Sequence, residues 1–161
     1  MGESVTHPEF ADNEPRVWLT PSGEETEALG ARLLGTRADP GAPCQVVFLS
    51  GELGAGKSTF ARGVLRALGA QGAIKSPSYT LVETYALPEV NAVHLDLYRL
   101  IDPAELEHLG LADYHRQGFL WLIEWPERGA GRLPAPDLHF QLSITEQGHR
   151  IERIETSTAT K

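Results

Sequence analysis

Gly51, Gly56, Lys57 and Ser58 stand at the spacing G-x-x-x-x-G-K-S inside "GELGAGKSTF", residues 51–60. The chemistry such a spacing serves is the clasping of a phosphate chain. Glycines free the backbone so that successive N–H groups can turn inward on an anion. A helix beginning there adds the partial positive charge of its N-terminus at the same point. Lys57 would then reach the β- and γ-phosphates of a nucleotide, and the Ser58 hydroxyl would ligate Mg²⁺. The ordinary alternative is a glycine-rich turn with a solvated lysine. The flanks argue against it: an apolar run, "QVVFLS", enters the motif, and Phe60, Val64, Leu65 and Leu68 leave it at helical spacing.

A magnesium ion held this way needs a carboxylate from the end of a neighbouring hydrophobic strand. Two acids qualify. "FLWLIE" ends an unbroken apolar run on Glu124, and "AVHLD" ends an alternating strand on Asp96. One can hold the metal while the other orients or deprotonates water; the order of roles is open. "KSPSYT" (75–80) reads as a switch loop sensing the terminal phosphate through Ser76, Ser78 or Thr80, or else as a plain polar connection. Trp125 beside Glu124 is either a wall of the site or a core aromatic. Arg99 and Arg128, after the two acidic strands, read first as solvated strand ends, with a phosphate contact as the alternative. His94 shares a strand face with Asp96 but has no partner at zinc-binding spacing.

The elements that must position these groups follow from the chain's punctuation. "VWLT" (17–20) reads as a strand, and a helix opened by Ser22 follows with Leu29, Leu33 and Leu34 on one face. "CQVVFLS" (44–50) and "GFLWLIEW" (118–125) are continuous apolar strands, the kind buried on both faces. The phosphate-loop helix ends on Gly69. "TLVETYAL" and "NAVHLDLYRL" make a hairpin, and "LHFQLSITEQGHRIERIE" makes another, turning at "EQGH". "DPAELEHLGLADYH" predicts a helix with Asp102 as N-cap and Pro103 at its first position. The expected fold is α/β: a mixed sheet of the P-loop NTPase type, flanked by helices, with added antiparallel hairpins.

With 161 residues and 41% apolar content, one domain is expected over 17–155, with a mobile leader at 1–16 and a disordered tail at 156–161. Lys and Arg number 14 against 22 Asp and Glu, a net charge of −8. So acidic a chain is a poor candidate for gripping RNA by itself, whereas docking on a basic partner stays open. A single cysteine, Cys44, excludes an internal disulfide and reads as a buried, inert thiol. No stretch approaches the ~20 apolar residues of a membrane span, and no signal segment opens the chain, so a cytoplasmic protein is expected.

Taken together and in order, "GELGAGKSTFARGVLRALG", "KSPSYTLVETY", "HLDLYRL", "ELEHLGLADY" and "LIEWPERG…LP" resemble the TsaE (YjeE) family of small bacterial P-loop ATPases. The likeness runs from about Leu19 to about Arg150. It implies a role in forming N6-threonylcarbamoyladenosine beside the anticodon of tRNAs that read codons starting with A. ATP hydrolysis would support a TsaD–TsaB complex, which would handle the tRNA. The resemblance puts the phosphate loop on Gly54, Ala55, Gly56, Lys57, Ser58 and Thr59, with Ser58 and Glu124 as Mg²⁺ contacts. It makes Asp96 the aspartate needed for activity and Lys75 to Ser78 the switch. By position, Ser22, Gly23 and Thr26 fall on the base side, and Glu127 neighbours the site. Ser58 and Ser78 stand where threonine is usual, and Glu52 where aspartate is usual; each swap keeps the functional group.

Two other readings compete. A small P-loop kinase would need an arginine-rich lid, for which "PERGAGRLP" is short, and would move labelled γ-phosphate onto an acceptor. A non-hydrolysing nucleotide-binding module would depend on Lys57 but be indifferent to Asp96 and Glu124.

Overall fold

The computed structural model describes residues 16–35, 41 and 43–156. The expected leader up to residue 15 and the tail from residue 157 lie outside the described residues. Seven strands form one sheet in the order β1-β7-β6-β2-β5-β4-β3. They are β1 (Val17–Thr20), β2 (Gln45–Gly51), β3 (Val82–Ala86), β4 (Asn91–Asp96), β5 (Phe119–Glu124), β6 (Leu138–Thr145) and β7 (Gly148–Ile154). The central four, β6-β2-β5-β4, are parallel; β3, β7 and β1 extend the edges antiparallel. This is the mixed α/β sheet expected from the sequence, with both hairpins in place.

The parallel strands are apolar because both faces are covered. On one face Val47, Leu49, Leu120, Leu122 and Phe140 pack against two helices, α1 (Gly23–Leu33) and α2 (Lys57–Ala67). On the other, Val46, Val93, Trp121 and Ile123 pack under Leu97, Leu100, Leu106 and Leu111. That second cover corrects one expectation. The segment expected as a single helix forms two short 3-10 turns, Pro103–His108 and Leu111–Tyr114. Gly110, in the left-handed conformation at φ 69°, separates them and ends helical propagation. The cap itself is as expected, since the Asp102 carboxylate accepts the Ala104 N–H at 3.0 Å.

α1 starts where Ser22 accepts the Glu25 N–H at 3.2 Å, with Glu24 and Glu25 in its first turn. The two helices approach backbone to backbone at Gly63. A Cβ there would lie 2.0 Å from the Glu27 carbonyl oxygen, so no larger residue fits without moving a helix. Cys44 is half-buried rather than fully buried, and its surroundings push the thiol pKa up to about 11, chiefly by desolvation. A thiol so raised is little ionised near neutral pH. No helix among the described residues is long and apolar enough to cross a membrane.

Candidate active site

Parallel pairing sends β2, β5 and β4 toward the same rim, and their register places Leu49 beside Glu124 and Glu124 beside Asp96. Ligands of open α/β sheets sit at this carboxyl rim. A cleft of about 270 Å³ opens there. The loop after β2 and the first turn of α2 contribute Gly54, Gly56, Lys57, Ser58 and Thr59 to its walls. The 75–80 segment contributes Ser76 and Ser78, β4 Asp96, and the end of β5 Glu124 and Trp125.

Gly56 holds the turn together. It serves as N-cap of α2 at φ 101°, left-handed, and gives no side-chain cap to the helix amides. The opening of α2 thus keeps donors that an anion can take. Lys57 is buried and bonds to the Gly51 and Glu52 carbonyls at 2.7 and 2.8 Å, with its ammonium 4.5 Å from the Trp125 ring centre. Desolvation lowers its pKa below the ordinary 10.5, against the upward pull of Glu124, Asp96, Glu127 and Glu52.

Each acid meets a hydroxyl. Ser58 Oγ donates to the Glu124 carboxylate at 2.8 and 3.0 Å. Ser76 Oγ donates to Asp96, Ser78 Oγ does so at 3.2 Å, and the Tyr98 N–H adds a bond at 3.1 Å. The 75–80 segment is therefore tied to Asp96 rather than a free connection. Two non-glycine residues near these acids hold left-handed backbone, Leu81 at φ 73° and Trp125 at φ 58°. Strain of this kind persists only where surrounding contacts over-determine it. Leu81 N–H bonds to the Pro77 carbonyl at 2.8 Å and its own carbonyl accepts from Asp96 N–H at 3.1 Å. Trp125 is held by its N–H to the Leu49 carbonyl at 3.3 Å and by its ring against Tyr98, 5.0 Å between centroids.

Several of the sequence candidates, Ser22, Thr26, Lys75 and Thr80 among them, do not line the cleft. Ala55 is fully buried beneath the loop, and Gly51 enters only through its carbonyl to Lys57. Gly23, at the start of α1, faces Thr59, whose Cγ2 would be 3.9 Å from an added Cβ. Glu127 lines a second, more apolar cleft of about 320 Å³ with Phe48, Ser50 and His139. There Ser50 Oγ and His139 Nε2 share a hydrogen bond of 2.7 Å, and burial lowers the His139 pKa, against the pull of Glu127.

Two histidines were not read from the sequence as site residues. His94 Nε2 donates to Glu124 at 2.7 Å, both side chains being 2% exposed, while His94 Nδ1 has no partner among the described residues. Its place two residues before Asp96, on the same strand face, was the available signal. His149, the second residue of β7, lines the cleft, touches Thr26 Oγ1 at 3.2 Å, and stands against Gly56. Only the folding of the hairpin onto the phosphate loop brings it there.

A buried lysine, uncapped helix amides and two hydroxyl–carboxylate couples around one cleft can bind a phosphorylated ligand and a hard cation. Fold and site define a P-loop-type α/β protein. The comparisons narrow that class: residues 20–154 match the family model for threonylcarbamoyl adenosine biosynthesis protein TsaE. The tRNA threonylcarbamoyladenosine biosynthesis protein TsaE of Haemophilus influenzae is 47% identical over 109 residues, 68% of this chain and 69% of its own. The Bacillus subtilis protein of the same name is 36% identical over 148 residues, 85% and 89% of the two chains. The crystal structure of Bacillus subtilis YdiB superposes with a TM-score of 0.67 at 30% identity, covering 85% of this chain and 82% of that one. The chain belongs to the TsaE family.

Proposed function

We propose that the chain binds ATP and Mg²⁺ in this cleft and hydrolyses the γ-phosphate in support of a TsaD–TsaB complex. Membership of the TsaE family gives it a role in tRNA threonylcarbamoyladenosine biosynthesis; the tRNA would be met through the partners. The observation that carries the reading is the pairing of Ser58 with Glu124, and of Ser76 and Ser78 with Asp96, on the walls of one cleft.

The donors fit magnesium. Ser58, Glu124 and Asp96 offer oxygen only, and no group of three or more His, Cys, Asp or Glu among the described residues forms a ready metal cage. That is the expected pattern for a cation bound jointly by one or two carboxylates and substrate phosphates. Bound Mg²⁺ would neutralise charge building up on the phosphate oxygens. Ser58 and Glu124 would hold it, with His94 steadying Glu124 from behind. Lys57 would leave its two carbonyls for the phosphate chain, and the amides opening α2 would orient that chain. Asp96 would align the attacking water and accept its proton. Ser76 and Ser78 would carry the state of the terminal phosphate into the 75–80 segment.

No arginine lines the cleft among the described residues. Without such a charge on the transition state, phosphoryl transfer loses ~10³–10⁵ in rate, so slow basal turnover is expected. Phosphate release measured with and without purified TsaD–TsaB is the test. Stimulated release in the wild type, with Asp96→Asn and Glu124→Gln binding ATP but releasing phosphate at least about 10²-fold more slowly, supports the reading. Label on an acceptor would make the protein a kinase, and unaffected release in both variants would remove the assigned roles. No stimulation would remove the partner complex.

A further inference from the structure

Around the mouth of the cleft, cations and aromatic rings alternate. The Arg99 guanidinium lies 4.4 Å from the Tyr79 ring centre and donates to its hydroxyl at 3.3 Å. Arg128 lies 5.3 Å from the Tyr98 ring and 5.4 Å from that of Trp125, donating to the Tyr98 carbonyl at 2.8 Å. Tyr79 is 82% exposed and Ile101, two residues after Arg99 in the chain, is 90% exposed, the two most open large apolar side chains among the described residues.

The charge pattern is unusual for so acidic a chain. Arg16, Arg62, Arg132 and Arg150 each meet a carboxylate. Arg66 and Arg116 bond to carbonyls within a few residues of themselves. Among the described residues Arg99 and Arg128 have no carboxylate partner; each lies over an aromatic ring and has one protein acceptor. A stacked guanidinium keeps its remaining donors pre-organised for a planar anion.

We propose that Tyr79, Arg99, Ile101 and Arg128 form a docking surface for an acidic segment of a protein partner. Its carboxylates would take the open guanidinium edges and its apolar side chains would cover Tyr79 and Ile101. The proposal rests on the reading that the chain works with a protein complex. An RNA backbone offers no apolar side chain to cover Ile101, and two cations do not follow its extended run of phosphates. Two local cations suffice for a short acidic segment. The surface also reaches the site: Tyr79 follows Ser78, which bonds to Asp96, and Arg128 covers Trp125, whose ring covers Lys57. Engagement of either element by a partner bears on the groups around the nucleotide.

The test is calorimetric binding of the full chain, loaded with Mg²⁺ and a non-hydrolysable ATP analogue, to purified TsaD–TsaB. The double reversal Arg99→Glu with Arg128→Glu should weaken the complex by at least about tenfold, and Arg99→Gln with Arg128→Gln by less. Arg66→Glu should stay within about twofold, and all variants should keep wild-type affinity for the analogue. Equal affinity of wild type and the reversed and neutral variants for the complex would overturn this surface alone. A wild type that binds the analogue but not TsaD–TsaB would overturn the partner assignment with it. Loss of analogue affinity in the neutral variant would assign the arginines to the nucleotide. Loss of tRNA binding with the protein complex intact would assign them to RNA; either result refutes the proposal.

Discussion

Replacing His94 with leucine separates a positioning role from a structural one. The substitution removes the 2.7 Å bond to Glu124. A hydrogen bond to a carboxylate contributes about 1.5–3 kcal/mol to stability. The same change deletes Nδ1, a buried atom without a partner among the described residues, whose desolvation costs about 1–3 kcal/mol. Leucine is apolar and of similar volume, and Glu124 keeps its bonds from Ser58. The two contributions nearly cancel, so the urea midpoint should move by no more than about 1 kcal/mol in free energy. The cation should register the loss far more strongly, because removing the group that orients a metal-binding carboxylate costs about 10–100-fold in metal affinity. Magnesium titrations of ATP binding, followed by calorimetry, should show that drop in His94→Leu. His94→Gln, which returns an N–H donor near the position of Nε2, should recover most of it. An unchanged magnesium requirement in His94→Leu refutes the reasoning, as does a stability loss above about 3 kcal/mol that glutamine does not repair.

Three further outcomes follow from the same structure. Lys57 titrates below its ordinary 10.5 in the folded chain, so between that lowered value and 10.5 the unfolded chain binds more protons and stability rises with pH. Cys44, with its thiol pushed up to about 11, works the other way above pH 9 in every variant, so the check is a difference: from pH 8 to 10.5 the urea midpoint of the wild type should rise relative to that of Lys57→Met, and curves that stay parallel refute it. Gly63→Ala sets a Cβ 2.0 Å from the Glu27 carbonyl, and the helices must part, at a cost of about 1–3 kcal/mol or more, read as a lower urea midpoint. Cys44, with its thiol raised from 9.0 to about 11, should react with a thiol reagent at pH 8 about 100-fold more slowly in the folded chain than after unfolding.

The site's frame was legible because its parts are local in sequence. A glycine-rich turn between an apolar strand and an amphipathic helix needs no tertiary information, and neither does an apolar run ending on Glu124. Asp96 was legible for the same reason, and so was the Ser22 cap. What escaped depends on who meets whom across the sheet. That His94 reaches Glu124 follows from the register of β4 with β5, which pairs His94 with Leu122 and Asp96 with Glu124. His149 arrives through the folding of a hairpin that begins about 80 residues after the phosphate loop. The helix expected after Asp102 failed because its start signal was sound but its length was not. A glycine at position 110 and a need only to roof Val93 and Ile123 favour two tight turns over a continuous cylinder.

The parallel strands also divide the molecule into two rims of unequal tolerance. The far rim holds the Ala86–Asn91 turn, the entry to β5 at Phe119 and the start of β6 at Leu138. None of those positions lines the cleft. Lengthened connections, affinity tags or inserted domains belong there, where a change in chain length leaves the spacing of Ser58, Asp96 and Glu124 untouched.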